Sequence, residues 1–171
     1  GFRILRDAGI EVDTPLMEQS ARQLNPGYVR KFEAGLPYVR LKLAMTLDGK
    51  TALANGKSQW ITGSEARADV QKLRARSSAI VTGVQTIIDD DPRMSVRADE
   101  LQDETAVLAA KVTRPIYVLD SHCRIPQNAA ILANPHAVVV CCNATSRKLP
   151  VTIEQVDAAS DGRVDLARFL Q

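Results

Sequence analysis

The chain has 171 residues, of which 45% are hydrophobic and 25% are charged, and its formal net charge is +2. This composition is ordinary for a globular protein of one domain or pieces of two, and the balanced charge argues against binding to nucleic acid or membranes through bulk electrostatics. Aromatic residues make up only 4% of the chain, which disfavours base-stacking surfaces and favours a protein that acts on a small molecule.

The N-terminal part of the chain predicts the end of a helix, a short strand and two further helices. Residues 1–8 carry apolar side chains at helical spacing before a glycine, and residues 10–12 follow as a short strand. Thr14 followed by Pro15 is typical of a helix start, and a second helix is predicted over residues 28–34. A domain seldom begins at the end of a helix, so we expect the chain to start within a larger structure.

A domain boundary is predicted at the Gly-Leu-Pro sequence of residues 35–37. After it, residues 38–45 alternate apolar and polar side chains, which predicts a strand with Lys42 near its middle. The lysine ammonium could orient an anionic or carbonyl-bearing substrate, or donate a proton to it. The spacing favours equally well a lysine on a solvent-facing side of the strand.

The only tryptophan, Trp60, lies in a polar loop directly before a predicted helix. Thr62 and Glu65 form the pattern of a capping box at the start of this helix. The apolar stripe of the helix is predicted to be Ala66, Val70 and Leu73. Beside a helix N-terminus the indole could stack on a flat ring or cover a phosphate group. General burial tendencies favour the alternative, an indole packed on the core.

An acidic turn follows the next predicted strand and helix. Residues 79–82 predict a buried strand, residues 84–88 a short helix, and residues 89–91 are three aspartates before Pro92. Carboxylates at a helix C-terminus oppose the helix dipole, which suggests a use such as accepting hydrogen bonds from ribose hydroxyls. A divalent cation site and a solvated turn are the alternatives.

The remaining elements predict an α/β fold with a mostly parallel sheet. Residues 115–119 and 137–142 are rich in valine and isoleucine, as is typical of strands buried on both faces. A polar insert, residues 98–113, precedes them, and residues 164–170 predict the start of another helix. Because strands alternate with helices, we expect a parallel sheet whose carboxyl ends carry a site for a phosphate-bearing ligand. A Gly-x-Gly-x-x-Gly fingerprint is absent from the sequence.

The three cysteines predict reduced structural thiols, neither a disulfide framework nor a metal site. Their number is odd, and Cys141 and Cys142 are adjacent within an apolar run. His122 beside Cys123 does not supply the paired ligands that zinc requires. The sequence shows no signal peptide and no apolar run long enough to span a membrane, so the expected location is the cytoplasm.

Three blocks of sequence carry a resemblance to a known family: residues 41–52 (LKLAMTLDGKTA), residues 58–62 (SQWIT), and residues 90–92 (DDP) with Arg97. In this order they resemble the reductase domain of the bacterial bifunctional riboflavin biosynthesis protein, a diaminohydroxyphosphoribosylaminopyrimidine deaminase joined to a 5-amino-6-(5-phosphoribosylamino)uracil reductase. The resemblance implies that residues 37–171 are the N-terminal part of a reductase domain with a dihydrofolate-reductase-like fold, a mostly parallel sheet with flanking helices. Residues 1–36 are similar to the C-terminal tail of that family's deaminase-like α/β domain.

The resemblance implies an NADPH-dependent oxidoreductase that transfers hydride to the first carbon of the ring-opened sugar of its substrate. The implied substrate is a phosphorylated pyrimidine, the implied assembly is a homo-oligomer, and no nucleic-acid or membrane partner is expected. By position, Lys42 is implied to face the substrate as the catalytic residue. The implied cofactor contacts are Ala44, Trp60, Thr86, Asp90 and Ser121. The implied substrate contacts are Ser58, Arg74, Met94 and Arg97, with the two arginines suited to a phosphate.

Two departures from the family pattern qualify this interpretation. The deaminase's zinc signature is absent, so zinc and the deaminase hydrolysis are expected only in the remainder of a parent polypeptide. The family's next segment, an acidic residue and a glycine-rich loop for the cofactor phosphates, is expected just past Gln171, so we expect this chain to be a piece of a longer one. The alternative is a non-catalytic nucleotide-binding module that kept the reductase scaffold. A stand-alone reductase is disfavoured by the deaminase-like residues before Pro37.

Overall fold

The chain separates into two compact units, Gly1–Leu41 with Leu170–Gln171 and Lys42–Phe169. The computed structural model describes residues 1–58, 60–101 and 104–171. Within these ranges, none of the helices is long and apolar enough to cross a membrane.

The first unit contains three helices, α1 (Phe2–Asp7), α2 (Glu18–Leu24) and α3 (Pro26–Ala34). Helix α3 ends as predicted at Gly35, whose φ of 68° lies in the left-handed region that glycine adopts without steric cost. The predicted start of a helix at Thr14 is wrong. Helix α2 begins at Glu18 because Met17 before it has a φ of 52°, which a right-handed helix cannot contain. The short strand predicted over residues 10–12 is not formed either.

A paired set of charged hydrogen bonds joins α2 to α3 in this unit. Arg22 Nη1 and Nη2 donate to Glu33 Oε1 and Oε2 at 2.6 and 2.7 Å. These hydrogen bonds lower the pKa of Glu33, because they favour its ionised form. The bidentate geometry sets the approach of the two helices more firmly than a single ion pair would.

The second unit is an α/β structure built on a four-stranded sheet. Its helices and strands are α4 (Ser64–Ala75), β1 (Ile80–Gly83), α5 (Val84–Asp90), α6 (Glu104–Lys111), β2 (Ile116–Leu119), β3 (Ala137–Cys141), β4 (Thr152–Gln155) and α7 (Leu166–Phe169). The strands lie in the order β1-β2-β3-β4, and every neighbouring pair is parallel. The predicted fold class, α/β with a parallel sheet, is therefore confirmed.

The core of this unit lies along the two central strands. Val118 of β2 and Val139 of β3 are fully buried, as are Ile125 and Ile131, which follow β2 in the chain. Helix α5 covers the sheet with Ile87. Full burial of each such side chain is worth about 1.5–3 kcal/mol, so the valine-rich runs form the interior strands that their composition predicts.

The strand predicted over residues 38–45 is wrong. This segment is irregular and almost entirely exposed, and no described residue pairs with it in a ladder. An alternating pattern makes a strand only when a neighbouring strand supplies hydrogen bonds. The patterns also fail to predict α6, which lies inside the polar insert, and the edge strand β4.

Two predictions about α4 are wrong as well. The helix is capped by Gly63 without a side-chain hydrogen bond, so Glu65 stands at its second position and no capping box forms. Ala66 of the predicted apolar stripe is exposed. Every residue of α4 is described, and Gln71 is its only buried one.

Candidate functional site

The carboxyl ends of the parallel strands lie together at one edge of the sheet. Gly83 at the end of β1 pairs in register with Leu119 at the end of β2. Helix α5 starts immediately after Gly83, and Ser121 lies two residues beyond Leu119. The segments that follow β1 and β2 therefore leave the sheet side by side, in the position where α/β sheets bind ligands.

Ser121 is held in place by three hydrogen bonds from two other segments of the chain. Its Oγ accepts a hydrogen bond from Val164 N at 3.1 Å. Its carbonyl oxygen accepts from Asn143 N at 3.2 Å and from Asn143 Nδ2 at 2.8 Å. A serine whose oxygen accepts a backbone N–H keeps its own O–H as a donor. Ser121 thus presents a fixed hydroxyl donor at the carboxyl end of β2.

Asp120, directly before Ser121, is a fully buried carboxylate that the sequence interpretation missed. Its Oδ2 accepts from Ile125 N at 2.7 Å, and its backbone N–H donates to Val140 O at 2.8 Å. Its Oδ1 has no hydrogen-bond partner among the described residues. The sequence feature that could have revealed it is an aspartate directly after the apolar run of β2. A carboxylate at the end of a buried strand needs hydrogen-bond partners. The carboxylate anchors the turn that carries Ser121.

The acidic turn at the end of α5 does not converge on one centre. The three carboxylates accept hydrogen bonds from three different donors: Gln85 Nε2 to Asp89 at 2.8 Å, Ser58 Oγ to Asp90 at 3.0 Å, and Ala130 N to Asp91 at 2.7 Å. In the part of the chain that the structure describes, no group of three or more side chains could hold a metal ion. The arrangement gives no support to the cation alternative and shows that the turn is structured by its neighbours.

The tryptophan loop meets the acidic turn. The hydrogen bond from Ser58 Oγ to Asp90 Oδ1 joins residues 32 positions apart. Trp60 in the same loop is 72% exposed, so the alternative of an indole packed on the core is wrong. The Arg67 guanidinium lies 4.5 Å from the Trp60 ring centroid, in cation–π geometry. Gln59 of this motif lies outside the described residues.

Thr86 lies one helical turn before Asp90 on α5, so the two side chains share a face of that helix. Both are exposed. The predicted cofactor contacts Trp60, Thr86 and Asp90 thus stay at the surface, with Asp90 tied to the tryptophan loop.

Two predicted substrate contacts, Arg74 and Met94, touch directly. From α4, Arg74 Nη1 donates to Ser95 O at 3.1 Å, and its Nη2 lies 3.5 Å from Met94 Sδ. Burial lowers the pKa of Arg74, and the positive charge of nearby Arg97 lowers it further. The negative charge of Glu100 acts in the opposite direction on the pKa of Arg74.

Arg97 is held by two contacts of its own. Its backbone N–H donates to Gln71 Oε1 at 3.1 Å. Its Nη1 forms an ion pair with Glu100 Oε1 at 2.6 Å, and the Arg97 side chain remains 55% exposed. Helix α4 therefore contacts both ends of the segment 94–97, through Arg74 and Gln71, while the substrate roles of Arg74, Met94 and Arg97 stay predictions. The sequence interpretation missed Gln71, because a glutamine on a helix carries no pattern that signals burial.

Lys42 and Ala44 are not brought to either group by a described contact. Lys42 is exposed and Ala44 is half-buried, and both lie in the irregular segment 38–45. No hydrogen bond or ion pair of the described residues joins Lys42 to the carboxyl edge of the sheet. Their predicted roles therefore rest on the resemblance.

The structure defines an α/β protein built on a parallel sheet, with the Ser121 hydroxyl and the Asp120 carboxylate at the carboxyl end of β2 and the Arg74 guanidinium on α4. Residues 37–171 match the family model of the RibD C-terminal domain. The chain therefore belongs to the RibD C-terminal domain family, and the resemblance drawn from its sequence is confirmed.

Known relatives agree with this membership. The riboflavin biosynthesis protein RibD of Haemophilus influenzae is 46% identical over 128 residues, which are 73% of this chain and 34% of that protein. The Escherichia coli protein of the same name is 44% identical over 138 residues, 79% of this chain and 38% of that one. A structure of Acinetobacter baumannii RibD matches with a TM-score of 0.76 at 39% identity, and the match covers 99% of this chain and 45% of that one. The chain spans less than half the length of these relatives.

Proposed function

We propose that this chain forms the reductase part of a riboflavin biosynthesis enzyme. The reaction is the NADPH-dependent reduction of 5-amino-6-(5-phosphoribosylamino)uracil to its ribitylamino product. Family membership and the names of the relatives support this function. The observation that carries it is the contact of Arg74 with Met94 and Ser95 O, which lie in the same short segment as Arg97. Two guanidinium groups are suited to the phosphate of such a substrate.

We expect a nicotinamide dinucleotide to contact Trp60, Asp90 and Ser121. The exposed indole of Trp60 offers a stacking surface, and the Asp90 carboxylate can accept hydrogen bonds from ribose hydroxyls. Ser121 keeps a hydroxyl proton that is free to donate, because its oxygen already accepts from Val164 N. NADPH, when bound, supplies the hydride that reduces the first carbon of the sugar.

The chain's own residues position the substrate and supply charge. Arg97 and Arg74 bind the substrate phosphate through their guanidinium groups. In this structure the Arg97 guanidinium is paired with Glu100. Ser58 reaches the substrate from the loop that Asp90 anchors. Lys42 holds a proton on its Nζ and either donates it or stabilises negative charge as the sugar is reduced.

The same proposal includes the organisation of the parent protein. We place the domain boundary between residues 36 and 37, where the family match begins, and we assign residues 1–36 to the tail of a deaminase domain. Zinc and deamination would belong to the rest of that polypeptide, a cytoplasmic homo-oligomer. The family membership does not favour the alternative, a binding module without chemistry.

The test is replacement of Arg97 by alanine in the complete polypeptide. Loss of one charged hydrogen bond to the phosphate should weaken substrate binding by roughly 1.5–3 kcal/mol, which raises KM by about ten- to 150-fold. The matched control is Arg168→Ala, because Arg168 is also exposed and also paired with a carboxylate, that of Asp157. An Arg97→Ala enzyme with unchanged KM and kcat would contradict the phosphate role.

A further inference from the structure

Gln71 is an uncharged polar side chain in a position where apolar residues are expected. It is 1% exposed, while every other residue of α4 is half-buried or exposed. A buried amide without hydrogen bonds is costly. Its Oε1 is satisfied by the backbone N–H of Arg97, at 3.1 Å across a separation of 26 residues. The one buried side chain of the helix therefore holds the backbone of Arg97, a residue predicted to bind the substrate phosphate.

Helix α4 holds this segment at two points. Arg74 follows Gln71 by three positions, so both side chains project from the same face of the helix. Arg74 binds Ser95 O and contacts Met94 Sδ, while Gln71 binds the backbone of Arg97. The helix thus fixes both ends of the 94–97 segment, and with them the backbone position of Arg97 relative to α4.

The neutrality of Gln71 matters as much as its hydrogen bond. A glutamate could accept the same N–H, but its charge would lie within one helical turn of Arg74 and beside Arg97. In a partly buried site such a charge offsets a large part of the field that attracts an anion. An amide supplies the acceptor without adding a second negative charge to that of Glu100, which already pairs with Arg97.

We propose that Gln71 is a positioning residue for the substrate phosphate, which fixes the backbone of Arg97 beside Arg74 through a neutral acceptor. This inference rests on the proposed function, because it takes the two arginines as the phosphate ligands. It adds a residue that touches no substrate and acts only through Arg97.

The experiment compares Gln71→Met and Gln71→Glu in the complete polypeptide. Methionine keeps the length and neutrality of the side chain but removes the acceptor, so KM for the phosphorylated substrate should rise roughly five- to 20-fold. Glutamate keeps the acceptor and adds a negative charge, so KM should rise by about tenfold or more. In both variants kcat, the KM of NADPH and the inhibition constant of the dephosphorylated product should stay within about twofold of wild type, because only the phosphate contact is altered.

The control is Gln23→Met, the same chemical change at an exposed position of α2. It should leave kcat, both KM values and the inhibition constant unchanged. If the Gln71 variants only lower Tm, or weaken the phosphorylated substrate and the dephosphorylated product equally, Gln71 is merely structural and the inference is overturned. If Gln71→Met does not fold, Gln71→Glu decides by itself: an unchanged KM overturns the inference, and a rise confined to the phosphorylated substrate supports it. If KM rises in Arg97→Ala but not in the Gln71 variants, the inference about Gln71 has failed while the proposed phosphate site stands. An unchanged KM in Arg97→Ala means that the proposed phosphate site has failed.

Discussion

Replacement of Asp120 tests how the carboxyl end of β2 is organised. The carboxylate is fully buried, and its Oδ2 accepts the backbone N–H of Ile125 at 2.7 Å. Alanine at this position would leave that N–H buried without a partner, because Ile125 is itself 0% exposed. The expected cost is about 1–3 kcal/mol. Asparagine keeps one acceptor oxygen for Ile125 and removes the buried charge, so we expect Asp120→Asn to be at least about 1 kcal/mol more stable than Asp120→Ala.

Urea unfolding measures this difference. With a slope near 2 kcal/mol per molar urea, a loss of 2 kcal/mol moves the midpoint by about 1 M. The slope itself should not change, since both variants expose the same surface on unfolding. The Asp120→Ala variant should also bind NADPH more weakly, because the turn that holds the Ser121 hydroxyl loses its anchor.

The result that would refute this reasoning is an Asp120→Ala protein within about 0.5 kcal/mol of wild type, the range of ordinary surface substitutions. Equal destabilisation by alanine and asparagine would also contradict it, because the acceptor would then be irrelevant and only the charge would matter.

Three further results are expected. Trp60→Ala should raise the Kd of NADPH while changing Tm little, because the indole is 72% exposed; a large fall in Tm with unchanged Kd would indicate a core role. Iodoacetamide near neutral pH should alkylate Cys142 first, because burial raises the pKa of the Cys141 thiol and keeps it protonated; peptide mass spectrometry showing equal labelling would contradict this. Since the pair with Arg22 lowers the pKa of Glu33, its stabilisation is complete at neutral pH and lost as the pH falls through the lowered pKa. Glu33→Gln should remove that part of the acid sensitivity, and an unchanged stability-versus-pH curve would show that the pair contributes nothing.

Local sequence patterns determined the elements that depend on near neighbours. The runs at residues 115–119 and 137–142 contain enough branched apolar side chains to form only interior strands, and they do. Gly35 ends α3 because a left-handed residue is required there and glycine supplies it. The fold class follows from the alternation of such segments, and short motifs were specific enough to indicate the family.

Tertiary structure decided the features that depend on a partner distant in the chain, namely strand pairing and the burial of polar side chains. Residues 38–45 alternate like a strand but find no pairing strand among the described residues, so the pattern alone could not make one. Ala66 is exposed, whereas Gln71 is buried with its amide oxygen satisfied by the backbone N–H of Arg97, 26 residues away. Asp120 is tolerated in the core only because Ile125 N–H folds back onto it. Periodicity records the average polarity of a face, whereas burial of a single polar side chain depends on the one group that satisfies it.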